Sequence, residues 1–226
     1  SRRPPQLRRQ AAGSVVGHVA EVDDPAGQRA VARVRDEDAG GGLAQEALDV
    51  RQHRVVLGLL GGLGKFVRPR EKVLLKPNLA VGNPNGATNI LLVDFLLEEI
   101  KKIGAIALVA DGSSKSVNYD TRSVAKVLGL DKIIEKHGTE FIDLDQTDTI
   151  RKKVPNGKAF KYLNVPKALL ETDKIINLPK IKTHHLTGLS CSIKNLHGMV
   201  AGYDKLLTHA LGLHQPLADL PKIFPC

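Results

Sequence analysis

From residue 72 onward the apolar positions of this chain follow two rhythms: short unbroken runs, and longer stretches with helical spacing. Residues 72–78 (KVLLKPN) are an apolar run closed by proline, which predicts a buried strand and then a turn. Residues 88–104 (TNILLVDFLLEEIKKIG) space apolar side chains at helical intervals, with acids ahead of lysines. They predict a helix capped by Thr88 and stopped by Gly104. Residues 105–112 (AIALVADG) predict a second buried strand, 121–138 a helix broken at Gly129, and 140–145 (EFIDLD) a third strand. Residues 152–165 predict a hairpin turning at 155–157, residues 167–173 a short helix, and 174–179 (KIINLP) another buried strand.

Strands that are apolar throughout, separated by helices, imply an α/β fold with a mostly parallel, doubly wound, Rossmann-like sheet; the hairpin is a small insertion. In such sheets ligands bind beyond the carboxyl ends of the strands. Those ends carry Lys76 and Asn78, Asp111 and Gly112, Asp143 and Asp145, and Asn177 and Lys180.

Composition changes the picture at the N-terminus. Residues 1–64 contain no Lys, Ile, Asn, Thr, Phe, Tyr, Met or Cys, while all 20 lysines lie at Lys65 or later. Residues 1–60 are therefore expected to be a low-order Arg/Ala/Gly-rich extension, largely irregular. Either translation of GC-rich sequence in an unselected frame, a reading-frame artefact, or a flexible tail accounts for such a composition. A helix over about 43–60 is compatible with the pattern. Residues 61–226 form the α/β domain. It stops at LPKIFPC, as an apolar segment begins, so truncation at the C-terminus is expected.

The net charge of +9 is unevenly spread: residues 65–150 balance, and residues 151–226 hold twelve basic against four acidic side chains. The excess is local, aromatics are few and no nucleic-acid motif accompanies it, so a small anionic ligand is expected as partner rather than nucleic acid. No apolar run approaches the roughly 18 residues of a membrane span, so no membrane partner is expected. Two cysteines and no secretory signal point to a reducing, cytoplasmic setting.

Candidate chemistry gathers in residues 176–200 (INLPKIKTHHLTGLSCSIKNLHGMV), which leave a buried strand rich in cations. Lysine is a flexible point charge suited to phosphate or carboxylate. Lys180, Lys182, Lys194 and Asn195 are read as an anion cradle, against the alternative of a solvated basic face. Lys76 and Asn78 close the first strand at the same rim. Asp111 orients a lysine or a cation, or caps the next turn. Lys205 and His209 share a helix face. His184 is the proton-transfer candidate near neutral pH, with Lys182 as its catalytic companion. His184 and His185 are adjacent, so an extended backbone points them to opposite sides. A His184–His209–Asp111 metal set is conceivable, but nothing in the spacing demands it and no metal ligand is assigned. His197 and His214 read as packing or surface residues, Cys191 as a small buried residue, and Asp143, Asp145 and Asp148 as solvated loop acids. Residues 196–202 (LHGMVAG) supply glycines for close backbone approach.

Residues 73–79 (VLLKPNL), 104–114 (GAIALVADGSS) and 173–209 (DKIINLPKIKTHHLTGLSCSIKNLHGMVAGYDKLLTH) resemble the uncharacterised family known as domain of unknown function 362, over about residues 61–220. The resemblance implies a link to iron–sulfur or ferredoxin chemistry, because many members carry a separate cysteine-rich domain. This chain lacks the cysteines a four-iron cluster needs. A cluster would thus sit in a separate domain or a ferredoxin-type partner, and the cofactor of this chain stays unknown. The resemblance also implies a C-terminal Asp-Gly and Gly-rich stretch, which this sequence is expected to lack. The strand–loop pattern is similar to that of lactate racemase-like proteins, at the level of fold only.

Three functions are compatible with these readings. The first is an enzyme-like domain that binds a small phosphate or carboxylate at the rim. The second is a metal- or iron–sulfur-associated module without catalysis, and the third is nucleic-acid binding through the basic last third.

Overall fold

The structure is a computed structural model and describes residues 17–23, 29–35, 42–80, 82–112 and 120–224. Four parallel strands form its centre, in the spatial order β8 (Lys174–Leu178), β3 (Lys72–Pro77), β4 (Ile106–Asp111), β5 (Glu140–Asp143). Val73, Leu74 and Leu75 are fully buried, as expected of a strand covered on both faces. In register, Leu75 lies between Val109 of β4 and Ile176 of β8.

From β3 the chain passes through α2 (Ile90–Ile103) to β4, then through α3 (Thr121–Val127) and α4 (Leu130–His137) to β5. It then returns across β3 to place β8 on the other side. The order reverses between β3 and β8, and such a reversal opens a crevice at the carboxyl ends of the strands.

Local signals explain the helices. Asn89, not Thr88, caps α2: its side chain accepts from the Leu91 N–H, and Gly104 ends the helix in the left-handed region at φ 79°. Thr88 is used elsewhere. It accepts from the Asn78 N–H at 2.7 Å and donates to the Leu178 carbonyl at 2.6 Å, tying the ends of β3 and β8 together. Gly129, at φ 78°, makes the break between α3 and α4.

One face of the sheet packs Val73, Leu75, Val109 and Ile176 against α2 and α4. The other face packs Leu74 and Ala110 against the hairpin of β6 (Thr149–Lys153) and β7 (Tyr162–Pro166) and against the C-terminal segment. That segment holds α5 (Ser192–Asn195), α6 (Gly202–Ala210) and α7 (His214–Asp219). Residues 167–173, expected as a short helix, hold a single 3-10 turn, Lys167–Glu171.

Two features depart from expectation. Within residues 1–60, expected to be largely irregular, the described part contains β1 (Gly17–Asp23) and β2 (Arg29–Arg35), beside α1 (Gly42–Leu59), the helix that the pattern over about 43–60 allowed. GHVAEVD and RAVARVR each place two valines three residues apart, and these β-branched residues favour extended backbone whatever the bulk composition of the stretch. β1 pairs antiparallel with β2, with β8 and with β9 (Lys180–His184). Val50, Leu57 and Leu60 of the helical stretch pack on the first core. Second, the lysine-rich segment after β8 does not leave the sheet at once. It continues as β9 (Lys180–His184), which folds back onto β10 (Gly188–Ser190).

Candidate functional site

The crevice is built from the end of β3 outward. Lys76 is fully buried, and its Nζ lies 2.6 Å from Asp111 Oδ1 at the end of β4. It also donates to the Pro77 carbonyl at 2.7 Å and to Asn195 Oδ1 at 3.3 Å. Asp111 accepts from the Leu79 N–H at 2.7 Å and the Gly112 N–H at 2.8 Å. The pair is a hydrogen-bonded buried ion pair that locks two strand ends, so Lys76 and Asp111 hold the crevice together from beneath.

Asn195 is the hub above it. Its Oδ1 accepts from Lys76 and, at 3.0 Å, from Asn78 Nδ2; its own Nδ2 donates to the Lys76 carbonyl at 3.2 Å and to Asn177 Oδ1 at 2.8 Å. Asn177 Nδ2 in turn holds the Ser192 carbonyl at 3.1 Å. The amide capacity of Asn195 is thereby spent on β3, β8 and α5. Asn177 was visible in the sequence as a strand-end polar residue, but its coupling to Asn195 depends on tertiary packing.

Lys182 and Lys194 differ from Lys76. Lys182 Nζ donates to Asn78 Oδ1 at 3.1 Å and to the Gly86 carbonyl, both neutral acceptors, so one N–H remains for a ligand. Burial lowers its basicity; Asp111 opposes this, and Lys180 and Lys76 add to it. Lys194, on α5, is half-buried and makes no hydrogen bond or ion pair among the described residues. Burial and then the Lys182, Lys76 and Lys205 ammoniums bring it down to about 8. Lys180 is buried at the start of β9 and adds its charge to the field at Lys182.

His184 ends β9 beside these lysines. Burial, followed by Lys194, His185, His209 and Lys182, holds its imidazole below the usual histidine range and so neutral at physiological pH. Its Nδ1 accepts from the Leu186 N–H at 3.2 Å and the Thr187 N–H at 3.4 Å. An accepting Nδ1 places the proton of the neutral ring on Nε2. The expectation that His184 and His185 point to opposite sides is corrected: their rings stack, with centroids 4.8 Å apart. The strand ends at His184 and the chain turns, so the alternation of extended backbone no longer applies.

Lys205 is buried and pairs with Asp145 at 2.6 Å. Asp143 is buried beside Thr121, which donates to it at 3.1 Å, and burial raises its pKa. Asp143 and Asp145 are therefore not solvated loop acids, as their loop position suggested; Asp148, largely exposed, is one. The partners that bury them lie 22 and 60 residues away in sequence, beyond the reach of a local pattern. His209 shares the α6 face of Lys205 but is exposed, edge-on to the buried His197 at 5.1 Å. His214 is exposed and Cys191 is a half-buried free thiol. His184, His209 and Asp111 do not form a metal-ligand cluster among the described residues.

Glycine permits the close approach. A Cβ on Gly198 would fall on Asp111 Oδ1 and lie 3.0 Å from both Cε and Nζ of Lys76; a Cβ on Gly112 would lie 2.8 Å from Lys205 Nζ. Gly198→Ala should cost about 3 kcal/mol by overpacking. Gly64→Ala, where the added methyl meets nothing within 4 Å, should be near neutral. Chemical denaturation of the two variants measures the difference.

A second cluster lies outside the crevice. Asp94 and Glu98 on α2 and His137 on α4 bring ligand atoms within 4.8 Å of one another. Lys136 Nζ already holds both Asp94 oxygens at 2.8 Å, and His137 Nε2 lies 2.6 Å from Asp94 Oδ1. This arrangement clamps α2 to α4.

No helix among the described residues is long and apolar enough to cross a membrane. No solved structure matches the chain. The chain is 32% identical over 164 residues to the thylakoid-associated protein sll1697 of Synechocystis sp. (strain ATCC 27184 / PCC 6803 / Kazusa), an alignment covering 69% of this chain and 47% of that protein. The chain thus spans about half the length of this relative. The model of the family "Domain of unknown function (DUF362)" matches residues 73–226, which contain every candidate residue of the crevice. With two thirds of its length matched and the crevice inside the match, the chain belongs to the domain of unknown function 362 family.

Proposed function

We propose that this domain is enzyme-like and binds a small anion, phosphate or carboxylate, at the crevice where β3 and β8 diverge. One observation carries the reading. Two lysines reach the crevice without a carboxylate partner of their own: Lys182, held by neutral oxygens, and Lys194, held by nothing among the described residues. Lys76 and Lys205, by contrast, are neutralised by Asp111 and Asp145. Two ammoniums crowded in a partly buried space repel each other, and an anion between them relieves that repulsion.

The ligand contacts are Lys182 and Lys194, with Lys180 adding charge. Lys76, Asn78, Asp111, Asn195 and Lys205 position them, His209 lines the edge, and His184 exchanges the proton. A four-iron cluster needs four thiolates and this sequence has two cysteines, so redox chemistry would come from a ferredoxin-type partner. A reducing compartment suits the free Cys191. Fractionation would show whether this chain, like the relative named as thylakoid-associated, is associated with such membranes.

Isothermal titration with phosphate and with oxalate at low ionic strength tests the reading. Wild type should bind one of them. Lys182→Met and Lys194→Met should each weaken binding about tenfold, equivalent to about 1.4 kcal/mol. Wild-type affinity in both variants overturns the assignment. Salt-sensitive binding of duplex DNA without small-anion binding would instead support the nucleic-acid reading.

A further inference from the structure

We propose that Lys194 is the amine of an imine-forming site, which condenses with the carbonyl of a small 2-oxo acid whose carboxylate rests on Lys182. This rests on the anion-site reading and names its substrate class.

Four observations converge on it. Lys194 has no hydrogen-bond or ion-pair partner among the described residues, so its amine is not committed to structure. It is half-buried, reachable from solvent yet partly desolvated. It sits among other ammoniums, an arrangement that favours the neutral, nucleophilic amine. The adjacent Asn195 is held by four hydrogen bonds to β3 and β8, so the backbone carrying Lys194 is fixed relative to the crevice.

The step balances without oxidant or reductant. The neutral Lys194 amine attacks the carbonyl carbon; a C–N bond forms and the carbonyl π pair moves to oxygen. A first proton passes from the attacking nitrogen to that oxygen through solvent, giving the carbinolamine, and the Nε2–H of neutral His184 is assigned to hydrogen-bond the developing oxyanion. A second proton passes from nitrogen to the carbinolamine hydroxyl, the C–O bond breaks as water leaves, and the nitrogen lone pair forms the C=N bond. The product is a Lys194 imine, with one water released. The remaining carboxylate of the oxo acid keeps its charge throughout and stays on the free N–H of Lys182.

The test is reductive trapping of the full chain with pyruvate or glyoxylate and cyanoborohydride, followed by peptide mass mapping. The expected result is one adduct per chain on Lys194, formed at least tenfold faster than on the exposed Lys152. The trapping rate should rise with pH and level off above about 8. Burial sets this midpoint first, then the ammoniums of Lys182 on β9, Lys76 on β3 and Lys205 on α6; the nearby His184 on β9 and His197 in the turn after α5 are neutral there and add no charge. Lys194→Arg keeps the charge, so it should lose the adduct while still binding oxalate, which has no ketone or aldehyde carbonyl. His184→Asn should slow trapping about tenfold with oxalate affinity unchanged. Trapping spread evenly over surface lysines, or no Lys194 adduct in a wild-type sample that binds oxalate, overturns the imine and leaves the anion site standing. A wild-type sample that neither traps nor binds oxalate and phosphate overturns both.

Discussion

Asp111→Ala is expected to lower the unfolding free energy by about 4 kcal/mol, because it strands a fully buried ammonium. Lys76 Nζ would keep its contacts with the Pro77 carbonyl and Asn195 but lose the carboxylate 2.6 Å away. The Leu79 and Gly112 amides would lose their acceptor as well. Lys76→Met combined with Asp111→Ala should cost less than the two single changes added together, because the double variant buries no unpaired charge. Urea denaturation of the four proteins measures the coupling. If Asp111→Ala alone costs less than about 1 kcal/mol, the median for an exposed pair, the buried ion pair does not hold the strand ends together.

Asp219→Ala is the second large effect, also expected at about 4 kcal/mol, since three backbone amides, the buried one of Phe160 among them, lose their acceptor together. Asp219 is fully buried at the end of α7 and accepts from the N–H groups of Lys158, Ala159 and Phe160 in the β6–β7 connection. Lys222 donates to it at 2.7 Å. Burial alone would raise its pKa; the bonds from Lys222, Phe160, Lys158 and Ala159 outweigh burial and hold it down at about 2. The folded pKa lies below the ordinary value of 3.8, so the group stabilises the fold above that value. This contribution disappears as pH falls from 3.8 towards 2. Wild type should therefore lose stability across that acid window more steeply than Asp219→Ala, in which the titrating group is gone. Parallel melting curves at pH 5 and pH 3 test this. Equal losses in the two proteins would refute the role of Asp219.

These two carboxylates show where sequence reading succeeds and where it stops. Asp111 could be placed at the rim because it ends an apolar run, and a strand end in a doubly wound sheet has a known position. That it pairs with Lys76 could not be read, since the two are 35 positions apart on neighbouring strands. Asp219 gave only the local signal of Lys222, three residues on; the backbone amides it accepts from lie 59 to 61 residues away. Asp145 and Asp143 misled for the same reason, as loop acids whose partners the fold supplies. His184 and His185 misled differently, because a strand-period rule was carried one residue past the strand's end. The N-terminal strands were hidden by composition, which averages over the whole stretch and not over its short valine-bearing segments.

The central elements were legible. The apolar runs of β3, β4, β5 and β8, the helical spacing of α2 and the glycines at 104 and 129 are local signals, each decided by a few neighbouring residues and by backbone sterics. By itself, the sequence determined a parallel sheet, a rim carrying Lys76, Asn78, Asp111 and the lysines that follow β8, and an excess of positive charge there. Only the tertiary structure decided which cations are neutralised and which are not. Lys76 and Lys205 meet carboxylates from distant strands and loops, while Lys182 meets neutral oxygens and Lys194 meets none among the described residues. The physical reason is that charge pairing and burial depend on distances between residues far apart along the chain, which folding alone sets.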